Sequence, residues 1–191
     1  MVLNLGILIS QNGSNMINIV KACNEKKINA DVKIVISNNP NSKGLKKLRA
    51  LKTKSATVLI KDFENKKAYE NKIDELFKQN NVNLICLAGY MKILEKDFLE
   101  KWSGKIINIH PSLLPSFKGL EPQRQAIEKK VKFSGCTIHY VNEIVDDGEI
   151  IDQSIVRISD DETVDSLKKK ILIEEHKLYI TVLKKILNVY K

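Results

Sequence analysis

Asn108-Ile-His110 is the segment where residue type and spacing point most directly to chemistry. On a strand, residues two apart face the same way, so the carboxamide and the imidazole project together. Pro111 then ends regular pairing and puts both near the carboxyl end of the strand, the edge where open α/β sheets bind ligands. A neutral amide beside an imidazole suits a carbonyl whose oxygen becomes negative. The amide donates one hydrogen bond, and the imidazolium donates a second or passes a proton. A polar strand end satisfied by local backbone would carry the same residues.

Two further segments could join it. Asp146-Asp147-Gly148 lies in an acidic stretch after His139, and a carboxylate that meets an imidazole orients it and holds it protonated nearer neutral pH. Spacing alone does not bring that stretch to His110, and an acidic hairpin tip is the commoner origin of such a run. His139 alternates out of phase with Ile138 and Tyr140, so a structural role fits it at least as well as a catalytic one. Gln11-Asn12-Gly13-Ser14-Asn15 separates the first strand from the first helix. Unpaired N–H groups and the dipole at a helix start favour an anion, and Gly13 would let a phosphate approach closely. A tight turn followed by a Ser14 N-cap explains the same letters. The segment is neither a G-x-G-x-x-G fingerprint nor a Walker loop.

The elements that must position these residues alternate. Leu3–Ser10, Val32–Ile36, Ala56–Ile60, Leu84–Ala88 and Ile106–Ile109 read as buried strands. Between them, helical spacing covers Ser14–Lys26, Lys43–Leu51, Glu64–Gln79 and part of Lys92–Lys101. This order predicts a doubly wound, mostly parallel α/β sheet with right-handed crossovers. After a helix over Glu121–Lys129 the rhythm changes. Cys136–Val141 and Ile150–Ile158 predict an antiparallel hairpin at one end of the sheet. A long C-terminal helix from Val164 to Val189 follows, with Leu167, Ile171, Leu178, Val182, Ile186 and Leu187 as its apolar stripe and Asp161 or Thr163 as its cap. With no linker or internal repeat, residues 1–191 read as a single domain.

Composition narrows the function classes. The chain carries 32 basic and 23 acidic residues, a net charge of +9, which raises the local concentration of anionic partners. The lysines cluster loosely at Lys43–Lys54, Lys129–Lys132 and Lys168–Lys170; solvated lysines without a dedicated partner are the simpler account, and no nucleic-acid signature accompanies them. Cys23, Cys86 and Cys136 sit in apolar stretches without zinc-ligand spacing, as reduced core residues of a cytoplasmic protein do. No apolar stretch reaches the ~20 residues needed to span a bilayer, and the amino terminus lacks the basic segment and cleavage site of a signal peptide. We expect a cytoplasmic chain with no nucleic acid, membrane or metal as partner.

Three longer segments carry a resemblance: Ile9–Asn15, Leu87–Leu94 and Asn108–Pro115, the last reading N-I-H-P-S-L-L-P. Arg124–Ala126, Gly135–Val141, Asp146-x-Gly148 and Glu175-His176 extend it over essentially the whole chain. Together they resemble the phosphoribosylglycinamide formyltransferase family, folate-dependent enzymes of purine biosynthesis with a Rossmann-like formyltransferase fold. The resemblance implies transfer of the formyl group of 10-formyltetrahydrofolate to the amine of glycinamide ribonucleotide by direct attack, with no metal, in a monomer or homodimer. It implies Asn108, His110 and Asp146 as catalytic residues. Gly13, Ser14 and Asn15 match the phosphate segment and Glu175 the ribose contact. Folate is implied to lie against Met91, Lys92, Ile93 and Leu94, beside Asn108, and along Asn142, Glu143, Ile144, Val145 and Asp146, with Lys66 near its carboxylates.

There are departures. Lys66 and Lys92 stand where arginine is frequent, which keeps the charge but loses the bidentate fork. Ser116–Gln123, with Glu121, lacks the histidine-containing form of that segment, and Glu149 replaces a frequent proline. Related enzymes share the N-x-H…D pattern. The formyltetrahydrofolate hydrolases usually carry a domain before it and a second histidine at the place of Pro111. The methionyl-tRNA and amino-sugar formyltransferases usually carry a domain after it. A non-catalytic folate- or nucleotide-binding module would lack one of the three polar residues. Length and the phosphate turn favour the ribonucleotide enzyme.

Overall fold

The computed structural model describes residues 2–189. Five parallel strands alternate with helices: β1 (Leu3–Ile9), α1 (Ser14–Asn24), β2 (Ala30–Ser37), α2 (Lys43–Leu48), β3 (Ser55–Thr57), α3 (Lys66–Gln79), β4 (Leu84–Leu87), α4 (Lys96–Lys101) and β5 (Ile106–His110). Then come α5 (Pro122–Glu128), the hairpin β6 (Phe133–Tyr140) and β7 (Ile150–Arg157), and the long α6 (Val164–Val189). The sheet order is β3-β2-β1-β4-β5-β6-β7, with β6 and β7 antiparallel to their neighbours. This is the doubly wound sheet with a terminal hairpin that the alternation predicts.

Strand alternation divides the core between the two faces of the sheet. Leu5, Ile7 and Ile9 of β1 point to one face, where Met16 and Ile19 of α1 and Leu167, Ile171, Tyr179 and Val182 of α6 cover them. Leu8 points to the other, against Tyr69, Ile73 and Phe77 of α3, Phe98 of α4 and Trp102 just after it. All six stripe residues expected on α6 are buried. Thr163, not Asp161, caps that helix, its Oγ1 accepting from Ser166 N at 3.1 Å.

Several boundaries differ from the sequence expectation. The strand expected at Ala56–Ile60 is shorter, and Ile60–Asp62 forms a 3-10 turn instead. The helix expected within Lys92–Lys101 does lie there, and it begins at Lys96 because Glu95 is extended (φ −79°, ψ 156°). The buried Glu70 carboxylate accepts the Glu95 N–H at 3.1 and 3.2 Å, which ties the preceding loop to α3.

The site depends on β5 and β6. Here Ile107, Ile109, Cys136 and Ile138 face the α1/α6 core. Register pairs Asn108 with His139 and His110 with Thr137. Directly opposed residues share a face, so these four polar side chains line the other face together.

Candidate active site

Three strand ends and two loops converge. Gly13, at φ 60°, is the N-cap of α1, and no side chain caps that helix. A Cβ at Gly13 would lie 2.9 Å from Met16 Cε and 3.1 Å from Gly44 Cα, so both its left-handed backbone and its neighbours demand glycine. Ser14 is therefore the first helical residue rather than the cap that a plain turn would use. The first-turn N–H groups are left without a side-chain acceptor, as an anion site requires.

Beside that helix start, Asn15 Nδ2 donates to Glu175 Oε2 at 2.7 Å, a buried bond between residues 160 positions apart. Burial pushes the Glu175 carboxyl up, outweighing the hydrogen bond from Asn15 and the attraction of His110. Asn15 Oδ1 is buried without a partner among the described residues. The structure thus brings Gly13, Ser14, Asn15 and Glu175 together.

His110 meets Asp146. Its Nδ1 lies 3.2 Å from Asp146 Oδ2, with both side chains largely buried, so the loop does cover the distance that the sequence leaves open. His110 Nε2 lies 2.9 Å from the Phe117 carbonyl. Both ring nitrogens therefore face oxygen atoms. Burial works to raise the Asp146 carboxyl, but the hydrogen bond with His110, the Gly119 N–H and the electrostatic pull of the two imidazole rings hold it below its usual range. Asp146 itself is left-handed, at φ 53°.

Asn108 Nδ2 lies 3.2 Å from His139 Nε2, and His139 Nδ1 lies 2.8 Å from the Tyr140 carbonyl. Burial pulls the His139 imidazole down, against the Tyr140 hydrogen bond and the charge of Asp146. Its alternation places His139 away from the apolar face and therefore in the site. That orientation becomes readable in sequence only once the β5/β6 pairing is known.

The loop Ser112–Glu121 closes over this cluster. Gly119 N donates to Asp146 Oδ2 at 2.9 Å, and Lys118 pairs with Asp147. Phe117, Gly119 and Glu121 all have positive φ. Thr137 anchors the start of the loop: its hydroxyl donates to the Ser112 carbonyl at 2.7 Å and accepts from Leu114 N at 3.0 Å. Glu121 pairs with Arg124 one turn along, with Pro122 at the first position of α5.

The expected folate residues divide. Met91 and Ile93 are 59% and 64% exposed, and Lys92, Asn142, Glu143, Ile144 and Val145 also face solvent. Leu94 instead turns into the α3/α4 core and is 6% exposed. The Met91 N–H is fixed by Ser10 Oγ at 2.8 Å. Lys66 lies 3.9 Å from both Glu70 and Glu95, so its charge already faces two carboxylates. Among the described residues, no group of three or more His, Cys, Asp or Glu is arranged to hold a metal, and no helix is long and apolar enough to cross a membrane.

Residues 3–183 match the family described as formyl transferase. The chain belongs to the formyl transferase family. Phosphoribosylglycinamide formyltransferase of Bacillus subtilis is 38% identical to it over 182 residues, which cover 95% of this chain and 93% of that protein. The trifunctional purine biosynthetic protein adenosine-3 of Drosophila melanogaster is 40% identical over 186 residues, or 96% of this chain. The chain spans only 14% of the length of that relative. The crystal structure of glycinamide ribonucleotide transformylase 1 from Symbiobacterium toebii matches with a TM-score of 0.93 at 38% identity, covering 96% of this chain and 86% of that one. In this formyl transferase, then, an amide, an imidazole–carboxylate pair and an uncapped helix start share one edge of the sheet.

Proposed function

We propose that the chain moves the formyl group of 10-formyltetrahydrofolate onto the amine of glycinamide ribonucleotide. The observation that carries this reading is the convergence, at one sheet edge, of the uncapped α1 start and the Asn15–Glu175 pair with Asn108, His110 and Asp146. A phosphate suits the α1 N–H groups, and a ribose hydroxyl can donate to Glu175. The exposed Met91–Ile93 and Asn142–Val145 segments offer two walls for a flat pteridine ring.

The amine nitrogen attacks the formyl carbon, and the carbonyl oxygen takes up negative charge. Asn108 donates to that oxygen, and so does His110 Nε2 once it turns from the Phe117 carbonyl, while Asp146 orients the ring through Nδ1. The carbon–nitrogen bond to the folate then breaks. The proton lost by the amine ends on the departing folate nitrogen, passed through Asp146 and water. Both substrates are small anions, which suits a basic chain, and a cytoplasmic setting follows from that metabolism.

The deciding experiment follows folate absorbance with purified protein and 10-formyltetrahydrofolate, with and without glycinamide ribonucleotide. We expect formyl release only when the amine is present. Equal release without it would overturn transfer in favour of hydrolysis.

A further inference from the structure

We infer that His139 is a positioning residue that fixes which way the Asn108 carboxamide faces. This rests on the proposed formyl transfer only in taking Asn108 as the donor to the formyl oxygen. The chain of contacts begins at the Tyr140 carbonyl, which can only accept. It lies 2.8 Å from His139 Nδ1, so Nδ1 carries a proton. The ring is 2% exposed, and burial favours its neutral form. A neutral imidazole has one N–H, and Tyr140 takes it. Nε2 is left as a bare lone pair.

Asn108 faces that lone pair at 3.2 Å. Only the NH2 end of a carboxamide can meet it, since the oxygen would set lone pair against lone pair. The amide is therefore held with Nδ2 toward His139, and its second hydrogen is free for substrate. Strand register makes the arrangement rigid, because Asn108 and His139 are direct partners across β5 and β6. The titratable groups facing the ring are Asp146, with Oδ1 3.9 Å from Nε2, and His110. Protonating His139 would turn Nε2 into a donor aimed at the amide hydrogens and release the amide to flip. Gly148 completes the device. A Cβ there would lie 1.7 Å from the Tyr140 oxygen and 3.3 Å from His139 Nδ1, so the glycine gives the carbonyl and ring their room.

Two measurements test this. In the unaltered protein labelled with 15N-histidine, imidazole NMR near neutral pH is expected to show His139 as the neutral, Nδ1-protonated tautomer. An Nε2-protonated or doubly protonated ring would overturn the inference. This readout needs neither activity nor a variant, so it stands apart from any failure of the formyl-transfer reading.

The second is a cycle in kcat. A misplacement of about 1 Å can cost about 100-fold, so we expect His139→Leu to lose about 10–100-fold in kcat with little change in KM for either substrate. His139→Gln, whose Oε1 can accept from Asn108, is expected to recover part of that loss. In an Asn108→Ala background, His139→Leu is expected to cost nothing further, because coupled sites do not add. Equal losses in the Leu and Gln variants, or full multiplication of the two losses, would overturn the inference.

Discussion

At the residue scale the donors can be separated from the scaffold. Asn108 and His110 end a strand whose apolar partners, Ile107 and Ile109, point the other way, so truncating either polar side chain opens no cavity in the core. We expect Asn108→Ala or His110→Ala to lower kcat by about 100–1,000-fold while the protein stays folded; near-normal turnover would remove that residue from the chemistry. Glu175 behaves differently. Burial raises its carboxyl pKa above the unfolded value, so the folded state is favoured while the group is neutral, at acidic pH. That advantage is lost as pH rises through the raised value. Glu175→Gln cannot ionise and its oxygen can still accept from Asn15. Its melting temperature should match the parent near pH 4 and exceed it near pH 8, while KM for the ribonucleotide rises. The Asn108/His110 pair was legible in sequence because two-residue spacing on a strand needs no tertiary information. Asp146 could be named but its reach to His110 could not, because a loop reports no direction, and the buried Glu70 was hidden because its partner is a backbone N–H in another element.

At the element scale, close approach decides more than propensity. The glycine of Asp146-x-Gly148 is required by the Tyr140 carbonyl rather than by a positive φ. Gly148→Ala must push backbone from backbone, at about 1–3 kcal/mol, and should show both a lower urea midpoint and a reduced kcat. Loss of stability with kcat intact would argue that the loop and the site are not coupled. Thr137 is a similar junction, joined also by Gln153 Nε2 at 2.9 Å. Thr137→Val leaves the buried Leu114 N–H without its acceptor, and we expect about 1–3 kcal/mol of destabilisation in denaturant melts. Strand and helix identities followed from periodicity. The ends did not, because extended Glu95 and the 3-10 turn at Ile60–Asp62 answer to neighbours that periodicity does not contain.

At the scale of the whole molecule, a charge of +9 is a field rather than a site. Both proposed substrates are anions, and exposed charges are screened beyond about 8–10 Å at physiological ionic strength. Raising potassium chloride is therefore expected to lower kcat/KM several-fold while kcat stays level; a salt-independent kcat/KM would mean that local contacts alone govern capture. The sheet order places β5 where strand direction reverses. A strand with parallel neighbours on both sides would meet its partners at staggered positions. The antiparallel β6 instead sets Asn108 squarely across from His139 and His110 across from Thr137. A slip of one residue would turn His139 and Thr137 toward the apolar layer and bring Ile138 and Cys136 out in their place. Turnover after refolding is therefore a proofreading signal for this seam: a population with native helix content but a slipped hairpin would register by circular dichroism and be silent in the assay.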